Sequence, residues 1–188
     1  MKKTIYLAAL FLIVGISAIS CSKNAEQPTE KGNFFAAISD TNVFTNVATG
    51  SGSYSYGVVF TVAKNGKATE LGCKMPDLGT YRVTLWDSTA NRTILAQSDI
   101  TVSAGGTNYA SITAQPLTIG KVYLLTIQSS GKWYEIRKKG GGDLPYPISN
   151  GNIKIVGYQW IGSSSSAYPT NKSLTYIAGL CDLTFKAD

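Results

Sequence analysis

The amino-acid sequence predicts an all-β domain: a single sandwich of jelly-roll-like kind with about nine or ten antiparallel strands. Three observations carry that expectation. Apolar residues recur at every second position over short runs, as a strand with one buried face requires. Clusters of Gly, Ser, Asn and Pro separate these runs. From Asn33 onward no stretch repeats its apolar positions at the helical period.

Taken in order, residues 22–32 are polar, with Pro28 and Gly32, and read as a flexible tether. Val58, Phe60 and Val62 then alternate, and Asn65-Gly66 supplies the dipeptide that a tight type I′ turn prefers, so Leu71, Cys73 and Met75 are expected to return as the second strand of a hairpin. Asp77-Leu78-Gly79 turns the chain into Tyr81, Val83 and Leu85, with Arg82, Thr84 and Trp86 on the other face; Trp86 is expected to pack. Ile94, Ala96, Ile100 and Val102 continue the pattern, and Ala110 and Ile112 follow after a glycine break. Val122 to Ile127 is apolar on both faces and therefore central. Trp133 to Arg137, Ile153 to Ile161 and Leu174 to Phe185 complete the set, with Arg137-Lys138-Lys139 and the glycines after it forming a solvated hairpin tip.

The amino terminus carries a different signal. Lys2 and Lys3 precede an apolar run from Ile5 to Ile19. At about fifteen residues this run is shorter than the ~20 of a membrane-spanning helix, so it reads as a cleaved signal peptide. The end of that run, Ala18-Ile19-Ser20-Cys21, resembles the lipobox of bacterial lipoproteins, with Ala18 where that motif commonly has leucine. The resemblance implies lipidation at Cys21, a membrane partner reached through the acyl chains, and a place in the cell envelope, tethered to the outer membrane and facing either the periplasm or the surface. One acyl chain holds a protein only marginally and two or more hold it firmly. The expected organisation is therefore residues 1–20 as signal, 21–32 as tether and 33–188 as the folded domain.

A second resemblance lies within the domain. The runs Tyr56-Gly57-Val58-Val59-Phe60, Gly66 to Leu71, Gly79-Thr80-Tyr81-Arg82-Val83-Thr84-Leu85-Trp86-Asp87, Ile94-Leu95-Ala96, Asn108 to Pro116, Gly120-Lys121-Val122-Tyr123 and Asp182 to Phe185 are similar to the family of unknown function DUF4082. The similarity extends over about residues 54–185. It implies a small extracellular β-sandwich found beside carbohydrate-active or surface modules, and no catalytic residues. Asp87-Ser88-Thr89 also resembles the short acceptor for O-glycosylation of exported Bacteroidetes proteins.

Composition narrows the chemistry. The chain has 17 basic and 11 acidic residues, a net charge of +6, and no histidine. Without an imidazole, Ser-His-Asp and Cys-His nucleophilic sites and histidine zinc sites are excluded. The basic residues are scattered, so no nucleic-acid partner is expected. Glu70, Glu135 and Asp182 are the carboxylates a glycosidase pair would draw on, but they read as solvated surface acids and the chain is expected not to be an enzyme. Asp40, Asp77, Asp87, Asp99 and Asp143, with nearby asparagines, offer oxygen ligands for a structural calcium, yet they are ordinary turn residues and no cofactor is expected.

Eleven Tyr and three Trp are numerous for this length. Trp133, Tyr134, Tyr146, Tyr158, Trp160 and Tyr168 gather late in the chain, and Trp133, Tyr134, Tyr146, Trp160 and Tyr168 are the candidate ligand-binding residues, because flat rings stack on sugar faces while polar neighbours take hydroxyls. Cys73 and Cys181 fall at core-facing positions in a compartment that permits disulfides; a bridge and two buried thiols are both open. The expected function is a non-catalytic envelope module that binds a glycan or another surface ligand, the alternative being an assembly protein that pairs through its sheet edges.

Overall fold

A computed structural model describes residues 28–89, 91–103 and 106–188, and among them the alternating runs form fourteen strands and one five-residue helix. The expected signal peptide, residues 1–20, and the expected lipidation site, Cys21, lie outside the described residues. The protein is an all-β sandwich, with more strands than the nine or ten expected, because several short pairings carry too few residues to show a period.

The large sheet has seven strands. Its path runs β10 (Ile148–Asn150), β11 (Ile153–Gly162), β3 (Tyr54–Val62), β8 (Tyr123–Ser129), β5 (Gly79–Asp87) and β6 (Thr93–Val102), and β12 (Asn171–Ser173) also pairs with β11. A four-stranded sheet follows the order β1 (Thr29–Glu30), β14 (Leu180–Ala187), β4 (Gly66–Lys74), β7 (Asn108–Leu117). A three-stranded sheet is ordered β13 (Tyr176–Ala178), β9 (Trp133–Lys138), β2 (Phe44–Thr49). The pairings are antiparallel throughout.

Val58, Phe60, Val83, Leu85, Leu125 and Ile127 of the large sheet share one buried cluster with Leu71, Cys73, Leu183 and Phe185 of the four-stranded sheet. Each such side chain contributes about 1.5–3 kcal/mol by leaving water. The helix α1 (Asn33–Ala37) adds Phe34, whose ring meets Phe60 edge-on at 5.1 Å. β8 lies between β3 and β5, in the central place its two-faced apolarity predicts.

Four local expectations are corrected. Asn65-Gly66 closes no hairpin: β3 pairs with β8 and β11, β4 with β7 and β14, so residues 63–65 carry the chain from one sheet to the other. Gly66 is there for crowding, since a Cβ would lie 2.4 Å from both the Lys186 carbonyl and the Phe185 ring. Leu174 to Phe185 is not one strand; it breaks at Gly179, whose φ of +66° carries β13 of the small sheet into β14. The glycine turn after Lys138 is exposed but leads away from β9, whose neighbours are β2 and β13. The end of the tether is ordered: Thr29 and Glu30 pair with β14, and Glu30 accepts from the Asn152 backbone N–H at 2.9 Å.

The outer face of the large sheet is covered in part by residues 163–170. Ser55 Oγ donates to the Ala167 carbonyl at 2.6 Å, Gln128 Nε2 donates to the Ser163 carbonyl at 2.8 Å, and Thr84 and Ser166 hydroxyls meet at 3.1 Å. Tyr168 seats edge-on against Trp86 at 5.4 Å. Trp86 is buried as expected, and its Nε1 donates to Thr126 Oγ1 at 2.9 Å.

Candidate functional site

Four strands build an aromatic cleft where the large sheet meets the three-stranded one. Each gives two residues spaced by two, which the strand period places on one face. They are Tyr54 and Tyr56 of β3, Trp133 and Glu135 of β9, Tyr158 and Trp160 of β11, and Tyr176 and Ala178 of β13. The cleft holds about 130 Å³.

A bulge aims the β11 pair. Ile155 stands opposite Phe60 and Gly157 opposite Val59, so one extra residue sits between them. That extra residue reverses the alternation, and Tyr158 and Trp160 face the same side as Ile155 in place of Gly157 and Gln159. Val156 is left 38% exposed.

Inside the cleft the rings meet at steep angles. Tyr54 is edge-on to Trp133 at 5.3 Å and to Trp160 at 6.0 Å. Tyr56 lies 5.7 Å from Trp133, and Tyr158 lies 5.3 Å from Tyr176. Such edge-to-face contacts fix the rings while leaving parts of their faces free. Trp133 and Trp160 are half-buried. Trp133 Nε1 is buried without a hydrogen-bond partner. Burial raises the Tyr56, Tyr158 and Tyr176 phenols, for Tyr176 with the Glu135 carboxylate adding to it, so all three stay protonated at neutral pH.

The charge in the cleft is balanced. Arg137 Nε donates to Glu135 Oε1, and the same guanidinium lies 5.6 Å from the Tyr176 ring centre. The carboxylate is 13% exposed and keeps an oxygen for a ligand hydroxyl.

Of the five residues expected to bind ligand, the structure brings Trp133 and Trp160 together and places the other three elsewhere. Tyr134 points to the opposite face of β9 from Trp133, with Lys74 Nζ 5.7 Å from its ring. Tyr146 packs against the core with its phenol buried and unpartnered. Tyr168 is committed to Trp86, its hydroxyl donating to Ser88 Oγ at 3.0 Å. Tyr54, Tyr56 and Tyr176 were missed because they are scattered in sequence. The signal that finds Tyr54 and Tyr56 is the pairing of aromatics at i and i+2, repeated at Tyr158 and Trp160; Tyr176 has no such partner.

The carboxylates divide. Glu70 pairs with Lys31 at 2.7 Å and accepts from Thr184 Oγ1 at 2.5 Å. These hydrogen bonds hold its carboxyl below the usual range. Asp182, expected among the solvated acids, is fully buried. It accepts from Leu183 N–H at 2.7 Å, Tyr109 Oη at 2.9 Å and Phe34 N–H at 3.5 Å, so it ties α1 to β14. The loop aspartates accept backbone N–H groups: Asn42 to Asp40 at 2.8 Å and Thr89 to Asp87 at 2.9 Å within their own turns, and Lys132 to Asp77 at 2.9 Å across 55 residues of chain. Among the described residues no group of three or more acidic or cysteine side chains is gathered for a metal ion. No protein-family model matches the chain, and no curated protein matches it.

Proposed function

We propose that the chain is a non-catalytic, lipid-anchored envelope protein whose aromatic cleft takes one ring of a neutral glycan. The observation that carries this reading is the opening of Trp133 and Trp160, both half-buried, onto one cleft beside the Glu135 carboxylate. Ring faces stack on the apolar face of a sugar while a carboxylate accepts its hydroxyls. About 130 Å³ is small against the ~300–1,000 Å³ of ordinary small-molecule sites, which suits a terminal sugar and not a whole oligosaccharide. Organic cations also favour aromatic cages. Arg137 already occupies that role at Glu135 and Tyr176, so a neutral ligand is favoured.

A glycan-array screen of the chain beside its Trp160→Ala and Trp133→Ala variants tests the reading. Binding that both substitutions weaken at least tenfold supports it. No binding, or binding indifferent to both, removes its basis. Anchoring rests on Lys2, Lys3, the apolar run and Cys21; mass spectrometry of the native amino terminus would show a diacylated Cys21 or overturn it. The resemblance to DUF4082 is not supported by a family-model match, and it assigns none of these roles. One observation favours assembly through sheet edges as a second reading: β6 ends the large sheet and is ten residues long. Concentration-dependent self-association abolished by Thr101→Pro would support it.

A further inference from the structure

A depression larger than the aromatic cleft lies on the other face of the large sheet and has no part in that cleft. It is a groove of about 400 Å³ between β5, β6 and β8 on one side and the 163–170 segment on the other. Its walls carry the Thr80, Ser130, Ser164, Ser165 and Ser166 hydroxyls, the Gln128 amide and an Arg82–Asp99 pair. We propose that this groove is a second binding site, for a neutral polyhydroxylated ligand held by hydrogen bonds without ring stacking.

Three features converge on that class. The first is charge. Arg82 meets both Asp99 oxygens, Nε to Oδ1 at 2.7 Å and Nη2 to Oδ2 at 2.8 Å. Among the described residues no other ionic side chain lines the groove. A phosphate or carboxylate would find its only cation already neutralised.

The second is hydrogen-bonding capacity. A guanidinium has five N–H donors and a carboxylate about four lone-pair sites, so the pair keeps donors and acceptors side by side after its two mutual bonds. Vicinal hydroxyls, which both donate and accept, match that arrangement. Among the described residues the hydroxyls of Ser130, Ser164 and Ser165 find no hydrogen-bond partner, and Gln128 Oε1 is buried in the groove wall with no donor.

The third is rigidity. The 163–170 wall is pinned to the sheet through Ser55, Thr84, Gln128 and Trp86, so the groove exists before a ligand arrives and little ordering is left to oppose binding. Stacking is absent because the one aromatic residue lining it, Tyr81, is 7% exposed and directs its hydroxyl to the Asp77 carbonyl at 2.8 Å.

The test is amide-resolved NMR titration of the full chain with millimolar methyl glycosides of glucose, galactose and mannose, with mannitol, and with inorganic phosphate. The expected result is a saturable shift from at least one neutral polyol at residues 80–82, 128–130 and 164–166. It should fall at least tenfold in affinity in Ser165→Trp, which fills the groove from an exposed position, and in the doubly uncharged Arg82→Gln/Asp99→Asn variant. Trp160→Ala should leave it unchanged, which separates this site from the aromatic cleft. Shifts from phosphate alone, polyol shifts that survive both groove variants, or no shift with any probe would each overturn the proposal.

Discussion

Cys73 and Cys181 stand directly opposite each other across the β4–β14 pair, both buried and both free thiols. Opposed α-carbons of antiparallel strands are about 4.5–5.5 Å apart, inside the range a disulfide spans, so separation does not keep them reduced. Burial does. It pushes the Cys73 thiol up to about 12 and raises Cys181 further, leaving almost no thiolate, the species that attacks. The expected outcome is that iodoacetamide at neutral pH modifies neither residue in the folded protein and both in guanidinium without reductant, read by peptide mapping. Labelling in the native state, or failure to label after unfolding, would contradict it.

Asp182 gives the fold an acid-side gain in stability. Burial pushes its carboxyl up to about 6, against 3.8 in the unfolded chain, with the bonds from Leu183, Tyr109 and Phe34 opposing that rise. The folded state therefore binds the proton more tightly, and this contribution is fully present below 3.8 and lost as pH rises through about 6. Glu70, Asp87 and Asp99 are shifted the other way and matter only in stronger acid. Urea unfolding should show stability rising from pH 7 to 5 by on the order of 1 kcal/mol. Asp182→Asn keeps an acceptor for Leu183 and should flatten that rise. A slope unchanged in the variant would assign it elsewhere.

The fold class was legible because alternation survives in the long strands: Val58-Phe60-Val62, Tyr81-Val83-Leu85 and Tyr123 to Ile127 all face as their period says. What period cannot show is where it breaks. The extra residue at Leu95, opposite the Leu85/Trp86 step, turns Ile94 outward to 49% exposure although Ile94 and Ala96 read as one face. The bulge beside Val156 hides the aim of Trp160 in the same way. Partner choice is equally silent, since Asn65-Gly66 has the composition of a hairpin turn and yet joins two sheets. For the site, adjacent Trp133 and Tyr134 could have been separated from sequence alone, because neighbours on a strand face opposite ways. Tyr176 could not, because its strand is only three residues long.

Tyr168 should act as a clasp and not as a ligand residue. Its ring covers Trp86, its hydroxyl reaches Ser88, and the Arg92 guanidinium lies 4.7 Å from the ring centre. Tyr168→Ala should cost roughly 2 kcal/mol, less than the 3–5 of a fully buried aromatic because the ring is half-buried. Hydrogen exchange across 163–170 should quicken and Trp86 fluorescence should shift to the red. Tyr168→Phe keeps the ring and should cost about 1 kcal/mol for the lost hydrogen bond. If the two variants are equally destabilised, the ring contact is not what holds the segment.

Gly57 and Gly179 should fail differently when a methyl group is added. A Cβ at Gly57 would lie 1.9 Å from the Leu125 carbonyl and 2.6 Å from Thr126 Cα, both backbone of the neighbouring central strand. No side chain can swing aside, so Gly57→Ala must part β3 from β8, and a loss at or above the ~1–3 kcal/mol of ordinary overpacking is expected. At Gly179 the clash is with the Tyr56 ring, 1.6 Å away, and the φ of +66° adds about 1–2 kcal/mol of backbone strain. Tyr56 is 1% exposed and lines the aromatic cleft, so the methyl group can be admitted only by moving that wall. Gly179→Ala should therefore lower the urea midpoint and, at urea concentrations where the protein remains folded, also change the ring-proton shifts of Trp133 and Trp160. Gly57→Ala should lower the midpoint at least as far. A Gly179→Ala protein with wild-type stability and unshifted Trp133 and Trp160 ring protons would mean that Tyr56 is not fixed between the sheets as the packing requires.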